Sequence, residues 1–345
     1  MKLQSLLPIA LTATTTAAQT LNFVAHEDDD LLFLSPDLLT QIQSGRSVRT
    51  VFLTAGDAGN GPEYWTMRQE GSRAAYASMS NAANSWTQSD AGVDGYNIPV
   101  FTLDSNPDIS LAFLQLPDGN IGGEGFNGAG SLKQLWEGTV ASLTSWAGST
   151  YTKDGLIEVL RQLGDAYEHD SINTHDFVHS YGDGDHSDHY TTGYLVKEAF
   201  GDCERGEDIT SYMGYPVENM PVNLDESTLE QKKAVFYTYA SYDRNTCASD
   251  EACSGRSEEL WVQRQYVVGE LDQTTCEIKI GDKEVEKKEK QAEESITVLP
   301  ATSPIISRPV IPTPTRGVAA AVSSLAVPSE TPAVPTDAIS SSLVH

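Results

Sequence analysis

Leu21-Asn-Phe-Val-Ala-His26-Glu27-Asp28-Asp29-Asp30 is a short apolar run that ends in a histidine and a row of acids. Later in the chain the layout returns: Phe177 and Val178 are followed by Asp185-His186-Ser187-Asp188-His189. An apolar strand with polar residues at its carboxyl end suits a site in an open parallel α/β sheet, where ligands bind outside the strand ends. The two clusters together offer imidazole and carboxylate. Zinc accepts that ligand set while keeping one position open for water.

Outward from these stretches, Arg49 to Gly56 predicts a second strand that runs into a glycine-rich turn, Gly56 to Pro62. A helix follows from about Thr66 to Met79, with Met67, Ala74, Ala75 and Met79 facing inward. Strand, helix and strand at this spacing predict a parallel sheet with crossovers. Leu31 to Gln43 reads as helical with a break near Pro36. Tyr96 to Leu103 reads as a strand, and Pro117 to Gly130 as a mobile flap near the site. Leu132 to Trp146, Leu156 to Leu163 and His189 to Phe200 read as helices. Ser227-Thr-Leu-Glu230 reads as a capping box, and Leu260 to Leu271 as a strand.

The chain has 345 residues, with 49 Asp plus Glu against 22 Lys plus Arg and a formal net charge of −27. So acidic a surface argues against nucleic-acid and anionic-membrane partners, which need a basic face. Residues 1–18 read as a secretory signal: Lys2, an apolar core from Leu6 to Leu11, then Thr16-Ala17-Ala18. No later apolar stretch reaches the roughly 20 residues of a spanning helix. Cys203, Cys247, Cys253 and Cys276 fit two disulfides in an oxidising compartment, with three pairings open. The folded domain is expected over 19–281. From 282 a charged and then Ser/Thr/Pro-rich tail is expected to stay disordered, since it cannot bury enough apolar area to offset its chain entropy.

His26 and Asp29 lie three apart just past a strand end, so both can turn toward one divalent ion, with Asp28 beside them. His186 and His189 are also three apart at a helix start, hence on one face. One of the two can complete the ligand set while the other moves protons or stabilises an oxyanion. Asp183 to Asp188 has the look of a calcium loop but lacks the sixth-position glycine and twelfth-position glutamate of an EF-hand. Asp183 and Asp185 otherwise read as loop filler, His175 as a turn residue, His169 as surface and His179 as a strand histidine. Tyr64, Trp65 and Trp136 are candidates for stacking on a sugar, although most aromatics are core.

Ala25-His26-Glu27-Asp28-Asp29-Asp30 resembles the Ala-His-Pro-Asp-Asp-Glu motif of the PIG-L/LmbE-like zinc de-N-acetylases. His186-Ser187-Asp188-His189 resembles that family's His-x-Asp-His motif, in the right order. The resemblance covers roughly residues 20–245. It implies a Rossmann-like α/β fold, with a mostly parallel sheet and helices on both faces, and an enzyme that deacetylates N-acetylglucosamine-type amino sugars. It also implies one zinc ion, or another divalent metal, held by His26, Asp29 and His189. Asp28 would be the general base on water, and His186 would stabilise the oxyanion and protonate the leaving amine, with Asp188 orienting its ring. Arg68 would hold substrate oxygens, although Arg68-Gln69-Glu70 shortens the family's spacing. Glu27 replaces the motif's proline and Asp30 its glutamate. With the signal, this points to a secreted enzyme acting on a small molecule or oligosaccharide that bears an N-acetylamino sugar. Two rivals stand beside it: a metal hydrolase of esters or phosphoesters, and a non-catalytic carbohydrate-binding protein.

Overall fold

The computed structural model describes residues 18–281 apart from 168, 203–207, 273, 274 and 276. The expected signal (its last residue excepted), the expected tail, Cys203 and Cys276 lie outside the described residues. The chain opens with β1 (Gln19–Val24), α1 (Asp37–Gln43), β2 (Ser47–Thr54) and α2 (Pro62–Met79). It continues through β3 (Trp86–Asp90), β4 (Pro99–Leu103), β5 (Ile109–Leu116) and α3 (Leu132–Trp136). A hairpin of β6 (Leu143–Thr144) and β7 (Thr150–Tyr151) precedes α4 (Lys153–Asp165), β8 (Ser171–His175) and α5 (Ser187–Phe200). The described chain ends with β9 (Asp208–Tyr212), α6 (Glu226–Ala240), α7 (Asp250–Cys253), α8 (Ser257–Trp261), β10 (Val267–Asp272) and β11 (Glu277–Ile280).

Nine strands form one sheet in the order β11-β10-β9-β8-β1-β2-β5-β4-β3. The centre, β9-β8-β1-β2-β5, is parallel, and antiparallel pairs finish both edges. Side chains alternate across a strand, so β2 sends Val51 and Leu53 to one face and Phe52 to the other. Val51 and Leu53 pack with Leu156 and Leu160 of α4 and Leu195 of α5. Phe52 packs with Leu38 of α1, Ala75 and Met79 of α2 and Phe236 of α6. Both faces are therefore covered, and β5 is accordingly buried along its whole length. From β1 the chain moves out to β2 and β5, then returns to place β8 on the other side of β1. That reversal opens a crevice at the carboxyl ends of β1 and β8, where this class of sheet binds its ligands.

The break expected near Pro36 is present, between a π-helical turn, Asp30–Leu34, and α1. Several other expectations shift. Ile109–Leu116, fully buried, is a strand not recognised from sequence. The helix expected over 132–146 stops at Trp136, because Gly138 takes a positive φ of 74° that ends the helical run. Asp225, not Ser227, caps α6 by accepting from Thr228 N–H. The strand expected over 260–271 begins only at Val267, after α8. Met67 points outward, at 41% exposure. Cys247 and Cys253 form a disulfide. No helix of the described residues is long and apolar enough to cross a membrane.

Candidate active site

The turn after β1 and the start of α5 meet at the crevice. His26 N–H donates to Asp29 Oδ2 at 2.6 Å, which curls the chain and leaves His26 Nδ1 3.1 Å from the same oxygen. Asp29 Oδ1 lies 3.0 Å from His189 Nε2. On α5, His186 is the N-cap: its Nδ1 accepts from Asp188 N–H at 3.1 Å, and the first helical turn sets His189 beside it. The structure thus brings His26, Asp29 and His189 into direct contact, with His186 alongside. Ligand atoms of His26, His186 and His189 lie within 4.8 Å of one another, as do those of Asp29, His175 and His189.

The donor set suits a divalent cation. His189 Nδ1 is 2.7 Å from Asp185 Oδ1, so Nδ1–H donates there, and the buried Nε2, without a hydrogen-bond partner, is the ring nitrogen left to take a proton or a metal ion. It faces the carboxylate of Asp29. Burial opposes ionisation of Asp29, but His189, His26 and His175 outweigh it and hold the group well below the usual carboxylate range. Burial likewise opposes protonation of His189, yet Asp185 and Asp29 push it up to about 10. A pocket that pulls so hard on a proton is one that favours positive charge between these atoms.

Asp28 sits at the rim, partly exposed, with Oδ1 accepting from Arg68 Nη2 at 2.6 Å. Burial raises Asp28 to about 6 against the opposing pull of Arg68, within range of a base working near neutrality. Arg68, buried on α2, also donates from Nη1 to Gly56 O at 2.6 Å and from Nε to Tyr239 Oη at 2.7 Å, and lies 3.0 Å from Asp243. Gly56 has a φ of 51°, and a Cβ there would collide with the guanidinium. Glu27 is fully buried near Arg68, neither oxygen has a hydrogen-bond partner, and burial pushes it to about 8. Glu70 turns away, 48% exposed beside Arg73.

His186 is held neutral: burial and the neighbouring His26 push it down to about 4. Since Nδ1 accepts from the backbone, the neutral ring carries its proton on Nε2. Asp188 steadies that ring through its backbone N–H. Its carboxylate, 3.8 Å from Nδ1, instead accepts from Gly119 N–H at 2.7 Å and lies 3.4 Å from His26 Nε2.

Four site residues carried no recognised signal. His175, at the end of β8, stacks on His189 with ring centres 4.2 Å apart, and its Nε2 accepts from Ala25 N–H. Asp185 is the carboxylate behind His189, four positions before it. Asp118, from the flap, approaches His26 and His186 at 4.0 and 3.8 Å. Tyr215 stacks on Trp261 and lines the hollow over the site. His179 lies past the strand, not on it, paired with Asp176 at 2.6 Å. Asp183 joins none of the candidate metal clusters among the described residues. The hollow, of about 260 Å³, is lined by His26, Asp28, Arg68, Asp118, His186 and Tyr215 together with flap residues; Tyr64, Trp65 and Trp136 are not among them. A larger hollow of about 460 Å³ lies over β8, β9 and β10 and holds no histidine.

Solved structures similar to this chain include an N,N'-diacetylchitobiose deacetylase from Pyrococcus horikoshii, at 14% identity over 71% of this chain and 76% of that one, TM-score 0.41. A deacetylase of teicoplanin biosynthesis is 14% identical over 71% and 89%, TM-score 0.39. A 4-carboxy-2-hydroxymuconate hydratase from Pseudomonas putida is 13% identical over 85% and 100%, TM-score 0.36. No curated protein sequence matches the chain. The profile of the PIG-L family, GlcNAc-PI de-N-acetylase, matches residues 21–200, just over half of the chain and both motifs. The chain belongs to the PIG-L family of de-N-acetylases.

Proposed function

We propose that the chain is a secreted, zinc-dependent hydrolase that removes the acetyl group from an N-acetylglucosamine-type amino sugar. The observation that carries this reading is the contact of Asp29 with both His26 and His189, beside a carboxylate at the rim and opposite a neutral histidine. His26, Asp29 and His189 would hold the ion. When bound, such an ion lowers the pKa of water to about 7 and polarises a carbonyl.

The protein's own groups account for the proton movements. Asp28, fixed by Arg68, takes a proton from the attacking water as its oxygen bonds to the acetamide carbon. His186 presents Nε2–H to the carbonyl oxygen while negative charge develops there. When the C–N bond breaks, the proton that Asp28 took from water passes to the departing amine, because neutral His186 has only its Nε2–H and keeps it on the carbonyl oxygen. Acetate and a free amino sugar result. Arg68 holds the base in place and borders the same hollow, where a substrate oxygen would meet it.

Secretion is supported by the signal-like N-terminus and by the Cys247–Cys253 disulfide, which suits an oxidising compartment. The deciding experiment is metal content by mass spectrometry on the purified chain, paired with acetate release from N-acetylglucosamine and its oligomers. About one zinc per chain and stoichiometric acetate are expected. A chain with zinc bound that leaves every acetylated sugar intact would remove this reading.

A further inference from the structure

A second hollow, of about 200 Å³, adjoins the one over the site, and the two share Asp118 and Phe126 in their walls. Its far side is Trp146, in the turn between β6 and β7. At 47% exposure, Trp146 is the only Phe, Tyr or Trp side chain left exposed among the described residues. A single exposed apolar side chain needs no explanation by itself. This one is held in place and set against polar groups. Trp146 N–H donates to Gln115 O at 2.9 Å, and the indole Nε1–H lies 3.4 Å from Asp57 Oδ1. The same Asp57 oxygen accepts from Asp118 N–H at 2.9 Å, and Ala58 N–H donates to Asp118 Oδ2 at 3.2 Å. The exposed ring is therefore tied, through Asp57, to the acid that faces His26 and His186. Asn60 and Asn127 line the rest of the hollow.

We propose that this hollow is a subsite for a second sugar, so that the substrate is an oligosaccharide whose acetylated unit enters over the metal residues while its neighbour stacks on Trp146. The inference rests on the de-N-acetylase reading above. At about 260 Å³ the hollow over the site falls below the roughly 300 Å³ where pockets for drug-sized ligands begin, so it suits one sugar unit and not two. A pyranose has an apolar C–H face and a rim of hydroxyls. Trp146 and Phe126 offer surface for the first; Asp57, Asn60 and Asn127 offer partners for the second.

The test compares kcat/KM for a β-1,4-linked trimer of N-acetylglucosamine with that for the monomer, in the zinc-loaded wild type and in Trp146→Ala and Trp146→Phe. The wild type should prefer the trimer. Trp146→Ala should lower the trimer-to-monomer ratio about tenfold, mainly through KM, and Trp146→Phe should keep most of it. A ratio unchanged in Trp146→Ala, or a wild type that does not distinguish the two, overturns the subsite. If the wild type releases no acetate, calorimetric titration with the trimer separates the two ideas. Binding that Trp146→Ala abolishes supports the subsite and overturns the deacetylase reading; no binding overturns both.

Discussion

The floor and the rim of the site differ in what their polar groups face. On the floor, Asp29, His175, Asp185 and His189 are buried and face one another at 2.7 to 3.2 Å. At the rim, Asp28 and His186 also have protein partners, yet both border the hollow. On the proposed reading the floor holds positive charge and the rim meets a substrate. Substitutions on the floor should therefore change what the protein binds, and those at the rim how fast it turns over.

The largest effect is expected for Asp29→Asn, which removes a carboxylate shared by three imidazoles. Zinc content should collapse, and activity should fall by well over the roughly 100-fold typical of losing an outer partner of a metal ligand. Asp28→Asn should instead keep zinc and lower kcat about 10²–10⁴-fold. Were zinc lost as well, the division between floor and rim would fail. Asp185→Asn, which weakens the acceptor behind His189, should cost about 10–100-fold in zinc affinity by competition with a chelator, with smaller changes in kcat at saturating metal.

The mildest effect sharpens the comparison from outside the site. Lys232 is buried on α6, with Nζ donating to Leu32 O at 2.7 Å and Arg264 O at 2.8 Å, and burial pushes it down to about 7 against the pull of Asp37. Below pH 7 the ammonium is charged in both the folded and the unfolded chain, and the cost of burying it is felt in full. Between about 7 and the ordinary lysine value near 10.4 only the unfolded chain keeps its proton, so the fold gains stability as pH rises. Relative to Lys232→Met, the wild type should gain about 3–4 kcal/mol between pH 7 and pH 10 in urea unfolding. Zinc affinity at fixed pH should hardly differ between the two, since the hydrogen bonds of Lys232 go to Leu32 and Arg264 and not to the site residues.

The sequence made legible what short spacing fixes and missed what only the tertiary fold delivers. His26, Asp29 and His189 sit at short, regular spacings at a strand end and a helix start, where local geometry decides direction. Asp118 and Tyr215 had no such spacing: one comes from a glycine-rich flap and the other from a 3-10 turn, and each reaches the site only through the tertiary fold. His175 looked like a turn residue because the strand that ends on it starts at Ser171 and carries Asn173 and Thr174. Their polarity hides a central strand whose buried amides bond across the sheet, Asn173 Nδ2 to Asn22 Oδ1 at 2.9 Å. The fold class was readable from strand–helix alternation, whereas β5 was missed because a short stretch with six apolar residues of eight, broken at Ser110 and Gln115, carries no period that separates strand from helix.

The guanidinium of Arg68 carries one more consequence. Two of its partners, Tyr239 and Asp243, come from α6 and the residues just past it, outside the region 21–200 that the family profile spans. A fragment ending at Phe200 would keep every motif letter yet let Asp28, the proposed base, swing loose. The reactive posture of this enzyme is thus written partly in a stretch of chain that its signature does not read.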